Sequence, residues 1–223
     1  MWNEILFLSQ SIVVALFAGG ALLGGLGALY AFTAVCWILG NLFVLKEATL
    51  FNLDVITSDS FAIGANLGIT LLSNYYSEKE AQKAIYVGIY LAFFFLCVSQ
   101  MLIWYIPNNH DFAHPHFFAL FERMPRIVIV SFSVALMSMS LNLKLFDIFT
   151  KKWSALSFIL RSMIALMIAQ FFDTALFAIL ALHGQVASII NIICFSYLIK
   201  IISIIIVIPL LTLFQKLSSH KGS

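Results

Sequence analysis

The fold is decided by residues 186–214, which read VASIINIICFSYLIKIISIIIVIPLLTLF. A helix that spans a bilayer needs about 20 mostly apolar residues, and this stretch is longer than that. Its one formal charge is Lys200, and no other residue from Thr174 to Gln215 is formally charged. A lysine at the centre of a membrane helix costs about 3 kcal/mol on insertion scales, so it normally faces a protein interior or a wet cavity with a partner. The stretch therefore predicts a membrane helix, with Lys200 as a candidate site residue.

The composition places the whole chain in a bilayer. Of its 223 residues 62% are hydrophobic and 10% charged, with a mean hydropathy of +1.04, whereas soluble domains are nearer half apolar and a quarter charged. We expect one transmembrane domain over residues 1–223 and no separate soluble catalytic domain. The net charge of +2 is too small to suggest a nucleic-acid surface, so the expected partner is membrane lipid and not nucleic acid. Cys36, Cys97 and Cys194 lie in apolar segments, which argues against a disulfide framework or a zinc ribbon.

Seven apolar segments are long enough to be spanning helices. They lie near residues 5–23, 26–45, 58–75, 82–105, 126–149, 155–182 and 187–213. The sequence therefore predicts an all-α fold, a polytopic membrane helical bundle with six core transmembrane helices and an extra N-terminal one. We expect about residues 1–25 to form the accessory N-terminal helix and about residues 26–214 to form the core.

The division between the first two segments depends on glycine. No charge interrupts the chain between Glu4 and Lys46, and one helix over that stretch would be about 60 Å long, roughly twice the hydrocarbon thickness. The glycines between residues 19 and 27 suit a turn. Alternatively, Gly20-x-x-x-Gly24 is a face for close helix packing. The sequence leaves both interpretations open.

Basic residues in the connections predict the orientation of the bundle. With seven spans and a cytoplasmic C-terminus, the inside carries Lys79, Lys83, Lys151, Lys152, Lys216 and Lys221, and the outside carries Lys46, Arg123 and Arg126. The reverse orientation would put most of the positive charge outside. We therefore expect the N-terminus outside and the C-terminus inside.

The longest polar connection, residues 106–124, contains His110, Asp111, His114 and His116. Imidazole and carboxylate groups suit zinc, nickel or cobalt, so a metal-ion permease that uses this loop is one alternative function. The spacing matches no established ligand pattern, and Pro115 favours a plain extended turn. We expect no metal site.

Polar residues in the sixth segment are spaced in an informative way. Gln170 and Asp173 are three residues apart and project from one face of a helix. Arg161 lies about 18 Å from Asp173 along the axis, so we expect it to serve another layer near the cytoplasmic end. Asp173 and Lys200 differ in depth by about 6 Å on neighbouring antiparallel helices, and their side chains can pair. Such a pair belongs either to a substrate cavity or to a permanent bridge that locks the two helices.

Amides and rings in other spans suit a planar ligand. Asn41, Asn66 and Asn142 can pair with the edge of a purine-like base, and the ring of Tyr197 can stack on its face. The sequence contains no ATPase phosphate loop, no G-x-S-x-G nucleophile elbow and no H-E-x-x-H zinc helix. We therefore expect a protein that is not an enzyme, without catalytic residues or cofactors.

An ordered set of short motifs runs through roughly residues 36–210. It comprises Asn41-Leu42-Phe43-Val44-Leu45-Lys46, Thr57-Ser58-Asp59, Ser131 through Phe146, Leu160-Arg161, Gln170, Asp173-Thr174, Phe177, Gly184, Tyr197, Lys200 and Pro209. The set resembles the queuosine precursor transporter family, also described as a vitamin uptake family. The chain departs from the family pattern at Asn74-Tyr75-Tyr76, where a carboxylate is expected, and at Met139 and Asn142, where relatives often carry Gln and Asp. These departures leave the identity of the substrate open.

The resemblance implies a membrane transporter that imports a queuosine precursor, either queuine or a prequeuosine 7-deazaguanine base, for tRNA queuosine salvage. It also implies a multi-pass protein of the bacterial cytoplasmic (inner) membrane. The expected substrate-binding residues are Asp173, Gln170, Lys200, Asn41, Asn142, Arg161, Tyr197 and Asn66. The small-molecule partner is then a planar base, and the sequence also allows a homo-oligomer or an energising partner. The alternative function is a vitamin-binding membrane subunit that requires a separate energising complex.

Overall fold

The computed structural model describes residues 2–153, 156 and 158–202. Within them the chain forms α1 (Trp2–Leu23), α2 (Leu26–Leu42), β1 (Glu47–Leu50), β2 (Leu53–Ile56), α3 (Asp59–Tyr75), α4 (Glu78–Trp104), α5 (His114–Phe121), α6 (Met124–Lys152), α7 (Phe158–Leu182) and α8 (Ile189–Ile202). Apart from the short α5, each helix coincides with one of the seven predicted segments, so the predicted helical membrane bundle is confirmed. The remainder of the last segment, with Pro209, lies outside the described residues, as do Lys216 and Lys221 after it.

Several helices match a bilayer in length and composition. Among the described residues, four runs are long and apolar enough to cross a membrane: Trp2–Leu23, Glu78–Trp104, His114–Lys152 and Met163–Leu182. Large apolar side chains lie exposed on the outer faces of α1 and α4, among them Phe17, Tyr90 and Phe94. Exposed apolar surface on this scale is unfavourable in water and suits contact with lipid.

A glycine turn separates α1 from α2. Gly25 has a φ of 90°, a backbone conformation that glycine adopts at low steric cost. The predicted turn is therefore confirmed. Gly20, the candidate for a close-packing face, has no neighbouring atom within 4 Å of where a Cβ would lie. Its face of α1 is not packed against another described helix.

Helix α1 is built into the bundle. It buries Phe7, Val14 and Ala18 and contacts α2 and α3. The ring of Phe7 meets the ring of Phe195 in α8 edge to face, with 5.7 Å between the ring centroids. The division into an accessory helix and a six-helix core stays a prediction, but in this fold α1 shares its packing with the rest of the chain.

A β-hairpin that the sequence analysis did not predict joins α2 to α3. Strands β1 and β2 are antiparallel, with Glu47 opposite Ile56 and Leu50 opposite Leu53. Phe51 and Asn52 form the two-residue turn with φ angles of 52° and 63°. Positive φ at both positions matches the two-residue turns whose twist suits a hairpin.

The polar loop before α6 corrects one prediction. Pro115 does not stand in an extended turn but in the first turn of α5, where its missing N–H costs no intrahelical hydrogen bond. The carboxylate of Asp111 accepts hydrogen bonds from the backbone N–H groups of Ala113 and His114, both at 3.0 Å. These bonds fix the start of the helix.

Side-chain hydrogen bonds hold one end of the bundle together. The carboxylate of Glu4 accepts from the backbone N–H of Phe51 at 3.1 Å, and that of Glu47 accepts from the N–H of Ala187 at 3.0 Å. Arg126, at the start of α6, donates to a carbonyl in the last turn of α7 at 2.8 Å. We call this region, formed by the start of α1, the hairpin, the start of α6 and the α7–α8 turn, the hairpin end. The long helices thus alternate in direction.

An apolar cluster closes the bundle beneath the hairpin end. It consists of Val44, Ile56, Ile127, Ala178, Ala181, Leu182 and Ile192. We call this cluster the apolar cap. Because the apolar cap joins the hairpin to α6, α7 and α8, it bounds the cavity described next on the side of the hairpin end.

Candidate functional site

A cavity of about 130 Å³ lies between α2, α3, α6, α7 and α8. An apolar cavity of about 150 Å³ holds a benzene-sized molecule, so the volume is that of a small ring system, and a two-ring base requires some widening. Among the described residues, the polar groups on its wall are Asn41, Ser58, Asp59, Ser131, Asp173, Thr174, Ser196 and Lys200, and the rings are Trp37 and Phe177. The mixture of charged, hydroxyl, amide and ring groups suits a polar, flat ligand.

The predicted ion pair between α7 and α8 is present. Lys200 Nζ lies 2.7 Å from Asp173 Oδ2 and 3.0 Å from the hydroxyl oxygen of Thr174. The side chains of Lys200 and Asp173 keep 12% and 23% of their surface exposed. The hydroxyl of Thr174 in turn donates to the carbonyl of Gln170 at 2.8 Å. The ammonium is therefore held by two groups one residue apart on α7.

A second carboxylate, which the sequence analysis did not assign to the site, lies on the same wall. Asp59 begins α3, is only 5% exposed, and accepts a hydrogen bond from the hydroxyl of Ser196 on α8 at 2.6 Å. From the sequence, Asp59 was named only within the motif Thr57-Ser58-Asp59, and an acidic residue at the start of a helix is common. The one sequence feature that could have marked Asp59 is a carboxylate at the start of an apolar segment. Nothing in the sequence places it beside Ser196.

Asn41 lines the cavity from α2. Its side chain is 5% exposed, and its amide N–H donates to the carbonyl of Trp37 one turn earlier at 3.0 Å. This bond fixes the amide against the helix. Of the eight predicted substrate-binding residues, three therefore meet at the cavity: Asn41, Asp173 and Lys200.

Two of the remaining five lie beside the cavity without lining it. Gln170 is on α7 one turn before Thr174 and anchors the hydroxyl of that residue through its carbonyl. The hydroxyl of Tyr197 donates to the carbonyl of Met167 at 3.3 Å, and its ring meets that of Phe171 with 5.2 Å between centroids. Tyr197 thus ties α8 to α7, whereas the contact of Gln170 lies within α7.

The other three lie farther away. Arg161 Nη1 approaches the carbonyl of Thr150 at 3.5 Å, near the end of α6 opposite the hairpin end. This position is the separate layer that its spacing from Asp173 predicted. Asn142 is half-buried on α6, Asn66 is exposed on α3, and neither lines the cavity.

The loop histidines do not gather around a metal position. Among the described residues, no three His, Cys, Asp or Glu side chains come close enough together to hold a metal ion. The ring of His114 lies beside that of Phe118, with 6.2 Å between centroids. The carboxylate of Asp111 is engaged by the backbone of the loop. In this arrangement the loop builds the start of α5.

Comparison with known proteins gives two findings. Residues 65–214 match the family described as "Putative vitamin uptake transporter". The chain is also similar to a "Probable queuosine precursor transporter" from Bacillus subtilis (strain 168), with 25% identity over 174 residues, which covers 78% of this chain and 75% of the relative. No solved structure gives a significant match.

Proposed function

This chain belongs to the vitamin uptake transporter family, and from that premise we propose that it imports a queuosine precursor, queuine or a prequeuosine base, for tRNA queuosine salvage. Family membership and the similar relative support a membrane transporter of the queuosine-precursor or vitamin type. The identity of the substrate and the salvage role are our proposal. The observation that carries it is the cavity, where Asn41, Asp173 and Lys200 converge.

The chemistry of these three residues complements a 7-deazaguanine base. The carboxylate of Asp173 accepts hydrogen bonds from ring or amino N–H groups, or pairs with a cationic aminomethyl arm. The ammonium of Lys200 donates to a carbonyl oxygen, and the amide of Asn41 reads the heterocycle edge. The rings of Trp37 and Phe177 line the same wall and offer stacking surfaces. A base that enters this site takes over contacts that Asp173 and Lys200 otherwise make with each other.

The residues beside the cavity have supporting roles in this proposal. Tyr197 holds α8 against α7 through its hydrogen bond to the Met167 carbonyl, and the Gln170 carbonyl positions the Thr174 hydroxyl that contacts Lys200. Arg161 stabilises the cytoplasmic layer beside the end of α6. Contacts of Asn142 and Asn66 with substrate stay predictions, because neither side chain lines the cavity in this arrangement.

The protein is proposed to reside in the bacterial inner membrane with the hairpin end outside. Lys151 and Lys152 lie at the opposite end of α6, and Lys79 and Lys83 lie in the first turns of α4. The alternating helix directions place these four lysines on one side. An excess of lysine on that side favours its being cytoplasmic.

The test is complementation of a queuosine-deficient host, with queuosine in tRNA as the readout and each candidate base supplied in turn. The wild type should restore modification with queuine or a prequeuosine base. Asn41→Leu should reduce initial uptake of that base about tenfold, because losing one hydrogen bond to a buried polar group costs about 1–2 kcal/mol. Asn108→Leu, an exposed amide in the loop before α5 that does not line the cavity, is the matched control and should stay close to wild type.

Two outcomes would overturn parts of this proposal. If no base restores tRNA modification while the protein reaches the membrane, the substrate class is wrong. If the purified protein binds queuine in liposomes but does not move it, the protein is a binding subunit that requires an energising partner.

A further inference from the structure

The charges on the cavity wall do not balance. Among the described lining residues, Asp59 and Asp173 are acidic and Lys200 is the one base. Lys200 forms its ion pair with Asp173 and also acts electrostatically on Asp59. One ammonium cannot neutralise two carboxylates, so whenever Asp59 and Asp173 are both ionised the wall carries one negative charge in excess. A buried charge without a counter-charge is costly and favours uptake of a cation.

Asp59 is the carboxylate without an ionic partner in contact. Among the described residues, its one hydrogen bond comes from the hydroxyl of Ser196, at 2.6 Å. Both side chains are at least nine-tenths buried, at 5% and 3% exposure. The titratable or charged groups that face it are Cys36 from α2, Asp173 from α7 and Lys200 from α8. The described part of α6 contributes Ser131 to the wall and no titratable group there.

We propose that Asp59, together with the Ser196 hydroxyl, is a proton-binding site that couples import of the substrate to inward movement of one proton. The proposal rests on the proposed transport function. A proton from the outer solution binds Asp59 and removes the excess charge while substrate occupies the Asp173–Lys200 region. The same proton is released to the cytoplasm after the substrate. The Asp59 carboxylate then accepts the hydrogen bond from the Ser196 hydroxyl again.

A proton suits this position better than a metal cation. A bound metal ion needs several oxygen or nitrogen ligands around it, and no group of three His, Cys, Asp or Glu side chains forms among the described residues. A protonated carboxyl needs one acceptor for its new O–H, and the Ser196 oxygen lies within hydrogen-bond distance. The hydroxyl can serve either state because it both donates and accepts.

The first arm of the test does not require a known substrate. Infrared difference spectra of purified protein, taken from neutral to mildly acidic pH, should show a carboxylic acid C=O band that Asp59→Asn removes and Asp173→Asn keeps. A band that persists in Asp59→Asn, or that disappears only in Asp173→Asn, overturns the assignment. Ser196→Ala should move the frequency of the band, because the hydrogen-bond partner of the carboxyl is lost. Ser138→Ala, a buried hydroxyl that bonds the Ala169 carbonyl, should leave it in place.

The second arm measures coupling with labelled queuine in proteoliposomes. An inside-alkaline gradient of one pH unit should give the wild type up to about tenfold accumulation with one proton per substrate. Asp59→Asn should fail to accumulate queuine under this gradient. The ratio of accumulation to the exchange of labelled for unlabelled queuine should therefore fall about tenfold. Asp147→Asn, an exposed carboxylate on α6, should accumulate like the wild type.

The outcomes separate the two proposals. Equal accumulation by wild type and Asp59→Asn, or accumulation driven by a sodium gradient at equal pH, overturns proton coupling and leaves queuine transport standing. A wild type that shows the Asp59 band but moves no queuine overturns the proposed function and leaves the proton site standing.

Discussion

Two lysine–aspartate pairs of nearly the same length lie in different regions of the molecule. Lys200 and Asp173 are 2.7 Å apart between α7 and α8, with 12% and 23% of their side chains exposed. Lys151 and Asp147 are 2.6 Å apart on the end of α6, with 73% and 61% exposed. Distance therefore does not distinguish them, and their surroundings do. The comparison teaches that the meaning of an ion pair depends on what surrounds its charges.

The physical difference between the regions is solvation. An exposed pair four residues apart on a helix typically contributes about 0.3–0.5 kcal/mol, because water already stabilises each charge. Removing one partner of a buried pair costs about 3–5 kcal/mol, because the other charge is left without compensation. Replacing both partners of a buried pair with neutral groups is often close to neutral for stability. These figures separate an exposed pair from a buried one.

The largest effect is expected at the inner pair. Lys200→Met should abolish uptake of the labelled base and lower the stability of the purified protein by about 3 kcal/mol, since Asp173 loses its counter-charge. Lys151→Met, the matched change in the exposed pair, should alter stability by no more than about 0.5 kcal/mol and leave uptake near wild type. Thermal unfolding in detergent and initial uptake rates measure the two effects.

The double change Asp173→Asn with Lys200→Met sharpens this prediction. It should recover most of the stability lost in Lys200→Met, because no unpaired charge remains, but it should not recover uptake. If uptake returns with stability, the pair only locks α7 to α8 and its proposed role in binding substrate is wrong.

A smaller effect is expected from changing glycine to alanine, which adds one methyl group, in a packed region and in an open one. A Cβ at Gly64 of α3 would lie 2.5 Å from Val14 of α1 and 2.9 Å from Cys36 of α2, whereas one at Gly20 would meet nothing within 4 Å. Gly64→Ala should destabilise the protein by about 1–3 kcal/mol, since overpacking forces side chains and backbone to shift. Gly20→Ala should be neutral or up to about 1 kcal/mol stabilising. Thermal unfolding decides between them, and equal effects would show that α1 does not pack as described.

The smallest effect is expected in the exposed polar loop. Replacing His110, His114 and His116 together with alanine should change uptake by less than about twofold, because these side chains lie outside the cavity and the Asp111 carboxylate accepts the hydrogen bonds that begin α5 from backbone N–H groups. Complete loss of uptake of the labelled base, with the protein still present in the membrane, would return the metal-permease alternative to consideration.

The sequence predicted the helices and the ion pair for one physical reason. In a bilayer, charge within an apolar segment is rare and costly, so Asp173 and Lys200 stand out, and the constant helical rise places them at similar depths. The same cost of burying charge made Lys200 the first candidate for a site. Length made a turn between α1 and α2 necessary, since one helix would have been too long for the membrane, and the glycines suited it, although the sequence also allowed a close-packing face there.

The rest of the site depends on contacts that no local pattern encodes. Asp59 and Ser196 are 137 residues apart, and an acidic residue at a helix start has an ordinary explanation that hides a second role. The hairpin was missed because its turn is Phe51-Asn52, without the glycine that usually signals such a turn. The start of α5 was missed because Pro115 was treated as a breaker of helices, although proline is favoured in a first turn.

The apolar cap has a consequence for how solute reaches the cavity. Val44, Ile56, Ala178 and Ile192 belong both to the cap and to the cavity wall. A solute that enters from the hairpin end must therefore separate side chains that are at most 4% exposed. Separating them exposes apolar surface to water or to the incoming solute. The molecule described here is thus shut on that face, and since β2 carries Ile56, a solute that enters there has to displace the hairpin as well as side chains of α7 and α8.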